Sequence, residues 1–267
     1  MIFRRKKTTE PSSPDSPDIT DETLDDVDLA DEAGDDTSDV AEPVDDDSDA
    51  AGDSDDDDDE DDNAADDAPA EDPWQALDAS QDWRDDGPFD YDEVDLEDDP
   101  VARLDLGSLI VTPAPGVELQ IVADPDTGQG MALVAMTSTS ALQVTLLAAP
   151  SSPGFATDVR DEMIAETTQM GGNVELAEGP FGTELRRVVP ATDGEGNEGF
   201  APLRDWFAQG PRWLLNARLM GAAAQDVKGT GEAAGLEDFF RNLIVRREDG
   251  AMVPGQVITL TIPTASA

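Results

Sequence analysis

Two carboxylates in the C-terminal part of the chain, Glu184 and Asp205, are candidates for a catalytic pair. Glycosidases hydrolyse their substrates with two carboxyl groups, one protonated and one ionised, that flank the scissile bond. The spacing of these two along the chain does not set them apart among the 21 acidic residues between positions 101 and 267, most of which we expect at the surface. We therefore predict no catalytic residue and keep a carboxylate-based hydrolase of unknown substrate as an alternative.

Composition excludes most other catalytic chemistry. The 267 residues include no His and no Cys. Imidazole acid–base catalysis near neutral pH, thiol nucleophiles and the usual zinc sites are therefore excluded, as is a disulfide framework. We expect a non-enzymatic protein that holds no metal and no cofactor.

A glycine cluster and two Asp-containing runs resemble phosphate and calcium sites only in part. Gly229, Thr230 and Gly231 precede a predicted helix and could cradle a phosphate, but a dinucleotide fingerprint follows directly on a strand and this cluster follows a loop-like segment. A calcium loop needs regularly spaced oxygen ligands that end in a Glu at its twelfth position, and the runs 124–128 and 193–197 lack that spacing. We predict a helix start at the glycines and hairpin turns at the two Asp-containing runs.

Basic side chains beyond residue 100 are nearly all arginine, and some are adjacent. Arg186 precedes Arg187, and Arg246 precedes Arg247. These four arginines are candidate interaction residues, because they could form a cationic patch that receives an acidic segment. The alternative is a set of surface charges balanced by acidic neighbours. A net charge of −47 disfavours direct binding of nucleic acid.

Hydrophobic periodicity predicts the elements that must position these residues. Apolar residues alternate with polar ones in four stretches, which indicates half-buried strands. These stretches are 117–121, 142–146, 213–219 and 258–262. Helical spacing occurs over 156–170 and 235–244. Because strands joined by short turns pair antiparallel, we predict an α+β fold, a mainly antiparallel β-sheet with two helices packed on it.

The segment 101–263 is predicted to be a single domain, followed by a short tail, 264–267. About 165 residues can bury roughly 70% of their unfolded surface, which is enough for an independent core. Apolar stripes of strands and helices must cover each other. The sequence therefore predicts that four large apolar side chains are buried together: Trp213, Leu215, Phe239 and Phe240.

The first hundred residues differ sharply from the rest. They hold 42 of the 63 acidic residues against five basic ones, and Asp55–Asp62 is an unbroken run of eight acids. A segment this charged buries too little apolar surface to offset the entropy of ordering, so we predict that residues 1–72 form a long disordered acidic tail.

The acidic run suggests what the tail binds. On an extended backbone its charges lie ~3.5 Å apart, close to the ~3.4 Å between phosphates of a nucleic-acid strand. We therefore expect a basic protein partner, or a cationic surface of the chain's own domain in cis. A merely solubilising tail is the alternative.

Residues 73–100 are acidic but contain aromatic side chains that a spacer does not need. Asp72 before Pro73 is typical of a helix N-cap, and Trp74 and Leu77 then share one helix face. With Trp83, these residues predict a short arm that docks on the domain or on a partner.

Nothing in the sequence indicates a membrane protein. The four basic residues after Met-Ile-Phe precede no apolar stretch typical of a secretory signal, and no run of 18 apolar residues occurs. The neighbouring acidic residues oppose binding to an anionic lipid surface. We expect a cytoplasmic protein without stable membrane association.

Three motifs together carry a resemblance to a known family. They are Gly87-Pro88-Phe89-Asp90 followed by 103–109, Gly179-Pro180-Phe181-Gly182-Thr183-Glu184-Leu185, and Gly210-Pro211-Arg212-Trp213-Leu214-Leu215. Over about 87–263 the chain resembles a family of uncharacterised actinobacterial proteins, a domain of unknown function with an acidic N-terminus. This resemblance implies no activity. The strand and helix order is also similar, in shape only, to small antiparallel-sheet interaction folds of the photosystem-accessory type.

Together these observations predict an uncharacterised cytoplasmic protein-interaction or regulatory domain with a polyanionic tail. A small-ligand-binding protein or the carboxylate-based hydrolase is the alternative.

Overall fold

A computed structural model of the chain describes residues 72–97 and 99–262. The predicted disorder of the acidic tail therefore lies outside the described residues, except at Asp72, and so does the short tail at 264–267.

Short and long strands alternate with four helices in the described part of the chain. The strands are β1 (Phe89–Asp90), β2 (Leu104–Asp105), β3 (Leu109–Val111), β4 (Glu118–Ala123), β5 (Gly130–Met136), β6 (Ser140–Ala148), β7 (Asn173–Gly179), β8 (Gly182–Thr192), β9 (Glu198–Gly210), β10 (Trp213–Gly221) and β11 (Ile244–Val245). The α-helices are α1 (Pro73–Ala79), α2 (Phe155–Gln169), α3 (Ala222–Gln225) and α4 (Gly231–Arg241). A 3-10 turn covers Tyr91–Glu93.

The longer strands form one antiparallel sheet in the order β4-β5-β6-β10-β9-β8-β7. The short strands form a second sheet in the order β1-β11-β3-β2, in which only β1 and β11 run parallel. The predicted α+β class and its mainly antiparallel sheet are confirmed. The two predicted helices correspond to α2 and α4, and α4 begins four residues earlier than its apolar stripe, at Gly231.

Helices α2 and α4 cover opposite faces of the large sheet. Alternate residues of a strand point to opposite faces. Trp213 and Leu215 of β10 pack with Phe239 and Phe240 of α4, so the predicted core is confirmed. Leu214, which lies between the two β10 residues, packs instead with side chains of α2.

One predicted strand, 258–262, forms only in part. Ile258 and Leu260 are buried, as the alternation predicts. Their N–H groups donate to carbonyls of two different strands, β6 and β5, each at 2.8 Å. The segment enters between these strands where they separate, so it makes single bridges instead of a continuous ladder. Ile262 lies beyond the last bridge and is 44% exposed.

Both predicted hairpin turns are confirmed, and an Asp side chain closes each one. Asp124 accepts a hydrogen bond from the N–H of Thr127 at 2.7 Å, between β4 and β5. Asp193 accepts from the N–H of Asn197 at 2.9 Å, between β8 and β9. Hydrogen bonds from Thr127 lower the pKa of the Asp124 carboxyl, and hydrogen bonds from Asn197 lower the pKa of Asp193. Both turns therefore keep a negative charge.

Candidate functional site

Glu184 and Asp205 lie on neighbouring strands but on opposite faces of the large sheet. Asp205 of β9 is opposite Leu185 of β8, and Leu185 points away from the face that carries Glu184. Both carboxylates are almost fully buried, with exposed fractions of 1% and 0%. One substrate cannot reach both, so they do not form the carboxylate pair of a hydrolase.

Each oxygen of Glu184 already accepts hydrogen bonds from the protein. Arg204 donates to Oε2 through Nη2 at 2.8 Å, and the indole Nε1 of Trp206 donates to the same oxygen at 3.0 Å. Arg186 donates to Oε1 through Nε at 2.6 Å. A buried charge with this many donors is a structural centre on the α4 side of the sheet.

Asp205 forms the equivalent centre on the α2 side. Arg187 donates to Oδ2 through Nε at 2.8 Å, and Arg218 of β10 donates to Oδ1 at 3.0 Å. Arg187 also donates to the hydroxyl of Thr167 at 3.2 Å, and that hydroxyl donates to the carbonyl of Met163 at 2.7 Å. This chain of polar contacts ties α2 to the sheet.

The four predicted interaction arginines are therefore not a shared cationic patch. Arg186 and Arg187 point to opposite faces of the large sheet, whereas Arg246 and Arg247 follow β11 of the small sheet. Arg246 donates to Asp105 at 2.8 Å, which raises the pKa of its guanidinium. Arg247 donates to two backbone carbonyls, at 2.8 and 2.9 Å.

The other arginines of the described residues are likewise engaged by acceptors of the protein. Within residues 72–97 and 99–262, ten of the eleven arginines pair with a carboxylate, and the remaining one is Arg247. These residues contain 32 acidic side chains and 12 basic ones. The described part of the chain thus carries a net negative charge and its guanidinium groups are already engaged.

The predicted aromatic arm packs on the domain. Asp72 caps α1 as predicted, accepting a hydrogen bond from the N–H of Trp74 at 3.0 Å. Trp74, Leu77 and Trp83 are half-buried. The indole of Trp83 donates to the carbonyl of Leu77 at 3.1 Å, so the segment after α1 folds back on that helix.

Helix α1 contacts the domain through Asp78, which the sequence pattern did not single out. Its Oδ2 accepts from Nη2 of Arg160 at 2.6 Å, and its Oδ1 accepts from the N–H of Thr183 at 2.8 Å. Arg160 of α2 is 3% exposed and lies over the ring of Phe207 at 5.7 Å. A buried guanidinium and a backbone N–H thus bind the two oxygens of one carboxylate.

A cleft of about 860 Å³ opens beside this contact. Its walls come from the arm, the N-terminal end of α2 and the turn between β9 and β10. Apolar and polar groups both line it, among them Trp83, Arg84, Phe181, Phe207 and Gln209. Arg84 is held by two hydrogen bonds to Glu93, each at 3.1 Å.

Two of the motifs that carried the family resemblance meet at Arg241, near the end of α4. A Cβ at Gly87 would lie 2.0 Å from the carbonyl oxygen of Arg241, so only glycine fits there. Arg241 donates to the carbonyl of Pro180 at 3.1 Å and lies over the ring of Phe181 at 4.6 Å.

The third motif is joined to the first. Trp213 donates through its indole nitrogen to Asp90 at 2.7 Å. The three motifs therefore have a structural role, because their residues join the first motif to α4 and β10 and the second motif to α4.

The glycine cluster starts α4, as predicted, and the first turn of that helix carries Glu232. Its carboxylate accepts hydrogen bonds from four consecutive hydroxyls at 2.6 to 3.0 Å: Thr137, Ser138, Thr139 and Ser140. These bonds, chiefly that of Ser140, lower the pKa of Glu232 to about 2. A carboxylate of the chain itself thus lies at this helix start.

Strands β8 and β9 project beyond their neighbours. β7 pairs with β8 only as far as Val188, and β10 pairs with β9 only as far as Arg204. We call the free hairpin at 189–203 the β8–β9 ribbon. Phe200, on one of its faces, is 68% exposed.

Two features that would indicate a metal or membrane protein are absent from the described residues. Nowhere in 72–97 and 99–262 do three or more acidic side chains come together as a cluster that could hold a metal ion. In the same residues, no helix has the length and apolar character needed to cross a membrane.

Comparison with known families gives one match. The family described as "Protein of unknown function (DUF3710)" matches residues 87–267. The chain belongs to this family. The predicted resemblance to a domain of unknown function is confirmed, and the match assigns no activity to the DUF3710 domain. Helix α1, Trp83 and Arg84 precede the matched residues.

Other comparisons add no function. No curated protein matches the chain. A crystal structure from Bacteroides thetaiotaomicron VPI-5482 is 12% identical with a TM-score of 0.32, and covers 55% of this chain and 48% of its own. The chain thus spans about half the length of that protein. The solution structure of PsbP (CyanoP) from Synechocystis sp. PCC 6803 is 14% identical, also with a TM-score of 0.32, over 54% of this chain and 91% of its own.

Proposed function

We propose that this DUF3710 protein is a cytoplasmic, non-enzymatic interaction or regulatory protein whose acidic tail binds a basic protein partner. One observation carries the proposal. All eleven arginines between residues 72 and 262, position 98 aside, are engaged by acceptors of the protein itself, while the whole chain carries −47. Because these guanidinium groups are already engaged, they support attraction of the tail to basic groups of another molecule.

Charge spacing supports a competitor role for the tail. The eight acids of Asp55–Asp62 are contiguous, so their field at a nearby cationic groove resembles that of a nucleic-acid strand. A basic partner that binds nucleic acid would then be occupied by the tail. Attraction of this kind is screened within ~8 Å at physiological salt, which makes it strongly dependent on ionic strength.

The β8–β9 ribbon supports an interaction role for the domain. Val188, Pro190, Phe200 and Pro202 share one face of this hairpin and its base, because Val188 is opposite Pro202 and Pro190 is opposite Phe200. The two prolines have no N–H to donate, which disfavours the addition of a further strand at the ribbon edges. The ribbon therefore offers a side-chain surface, and its apolar face suits contact with a protein.

Binding of a fluorescent oligo-arginine peptide to the full-length protein tests the role of the tail. Replacing Asp55–Asp62 by the corresponding amides removes eight contiguous charges. The matched control replaces the eight acids from Asp15 to Asp31, which do not form one contiguous run, in the same way. We expect the first variant to bind more weakly than the control, with a difference that shrinks as salt rises from about 50 to 300 mM.

A solubilising tail predicts a different outcome. Both variants would then bind the peptide as the unchanged protein does, and only their solubility would differ. Equal affinities and equal salt dependence of all three proteins would therefore end the proposal.

A small-ligand-binding protein is the second candidate, favoured by the cleft beside the arm. Its volume of about 860 Å³ and its aromatic lining are typical of small-molecule sites. A thermal-shift screen of anionic and aromatic metabolites tests this candidate. A hit whose effect disappears in Phe207→Ala would support it, and a hit unaffected by that substitution would place binding elsewhere.

A further inference from the structure

We propose that Arg160, Thr183 and Gly182 form a receptor for acidic peptide segments, which the chain's own arm occupies through Asp78. The ligand class is a short peptide that presents a carboxylate and, a few residues later, an aromatic ring. This inference concerns the DUF3710 domain and does not depend on the proposal for the acidic tail.

The receptor is built for a carboxylate. Nη2 of Arg160 and the N–H of Thr183 donate to different oxygens of Asp78, at 2.6 and 2.8 Å. Such charge-assisted bonds are stronger than neutral ones. Among the described residues, Asp78 is the only carboxylate paired with Arg160, which is 3% exposed. An empty receptor would leave the guanidinium without its counter-charge, which favours an anionic occupant.

The receptor is held in place without the arm. Arg160 also donates to the hydroxyl of Thr157 at 3.0 Å and to the carbonyl of Thr183 at 3.4 Å, and its guanidinium lies over the Phe207 ring. These partners belong to the domain itself. The guanidinium therefore keeps its orientation when the carboxylate leaves, and the site is preorganised for another one.

Gly182 lets the ligand approach the backbone. A Cβ at this position would lie 2.7 Å from Oδ1 of Asp78 and 3.4 Å from the ring of Trp83. Its φ of +89° is also in the region that favours glycine. The glycine thus makes room for the carboxylate, and the ring of Trp83, five residues later in the arm, lies beside it.

The arm is suited to being displaced. Helix α1 has seven residues, none of them buried, and it precedes the DUF3710 domain. Besides the contacts of Asp78, α1 is joined to β8 by a hydrogen bond of 3.2 Å from the Thr183 hydroxyl to the carbonyl of Trp74. A free peptide with the same two groups can therefore compete for the receptor.

Binding of a fluorescent peptide with the sequence of residues 72–86 to the full-length protein tests the receptor. The unchanged protein should bind it weakly, because its own arm fills the site. Asp78→Ala in the protein empties the site, and we expect about tenfold tighter binding of the peptide, the usual scale for a lost charge-assisted hydrogen bond. The control variant Asp86→Ala, which removes a charge from an exposed position of the arm, should bind like the unchanged protein.

Two altered peptides keep the test independent of protein folding. A peptide with Asp78→Asn should bind the Asp78→Ala protein about tenfold more weakly than the original peptide, since it keeps the shape and loses the charge. A peptide with Asp86→Asn has the same net charge as the Asp78→Asn peptide but keeps Asp78, so it should bind like the original peptide. Equal binding of both altered peptides, or no binding to the Asp78→Ala protein, would overturn the proposal.

Discussion

Two buried carboxylates, one on each face of the same pair of strands, are the most consequential residues of the domain. Glu184 and Asp205 each pair with two arginines, and both carboxylates are almost fully buried. Buried ion pairs add little net stability when complete, but breaking one leaves an uncompensated charge. Both residues therefore fix how β8 and β9 pack between the two helices.

Asp205→Asn tests this role. It leaves Arg187, which is 3% exposed, without its buried counter-charge, and we expect a loss of about 3–5 kcal/mol in unfolding free energy measured by urea denaturation. The control is Asp161→Asn on the exposed side of α2, which should change stability by less than about 0.5 kcal/mol. Similar small changes in both variants would show that the Asp205 centre does not stabilise the fold.

Glu232 gives a prediction about pH. Its pKa falls from 4.5 to about 2 in the folded protein because hydroxyls donate to its ionised form. The ionised Glu232 carboxylate therefore stabilises the folded protein fully above pH 4.5, and this contribution is lost as pH falls towards 2.

The difference in unfolding free energy between the unchanged protein and Glu232→Gln should accordingly shrink over this range. Taking the difference between two proteins removes the contribution of the other acidic groups. A difference that stays constant from pH 5 to about pH 2 would contradict the assignment.

Residue types and spacing could not single out the two carboxylates among the other acidic residues of the domain. Glu184 and Asp205 were candidates for a shared active site, and the structure places them on opposite faces. Their arginine partners could not be predicted, because the contacts depend on which strands become neighbours. Asp78 and Glu232 gave no signal for a similar reason, since their partners lie far away along the chain.

Among the elements, β10 was predicted well because its environment is simple. Apolar residues at every second position cover the α4 side of the sheet, and the pattern in the sequence follows directly. β8 and β9 gave no such pattern. They carry buried charges on both faces in the stretch that passes between the helices, so polar residues occupy positions that a simple alternation assigns to the core.

Trp213 anchors β10 and tests the core. It is fully buried and donates to Asp90, so Trp213→Ala removes a large side chain and leaves a buried acceptor unpaired. We expect a loss of about 3–5 kcal/mol in unfolding free energy. Phe200→Ala removes an aromatic ring that is 68% exposed and should cost less than about 0.5 kcal/mol. A loss below about 1 kcal/mol for Trp213→Ala would show that its ring does not support the core.

The β8–β9 ribbon should be the least protected part of the large sheet. Strands with neighbours on both sides open less often than a free hairpin. In amide hydrogen exchange we expect residues 189–192 and 198–202 to exchange faster than 184–187 and 205–208, although the two sets belong to the same strands. Equal protection along β8 and β9 would mean that another part of the molecule covers the ribbon.

The whole molecule combines an acidic domain with a far more acidic N-terminal segment. The first hundred residues hold 42 acids and five basic residues, and the described arginines are engaged. A large excess of negative charge favours solubility and disfavours self-association. Under the proposed function, the same field draws a basic partner to the chain.

The most direct test of the proposed function is the NMR spectrum of the full-length protein during titration with an oligo-arginine peptide. At about 50 mM salt, amide signals of residues 8–71 should shift, signals of the domain should stay in place, and about 300 mM salt should suppress the shifts through screening. Shifts confined to the domain, or shifts of equal size at both salt concentrations, would contradict the claim that the acidic tail binds basic partners.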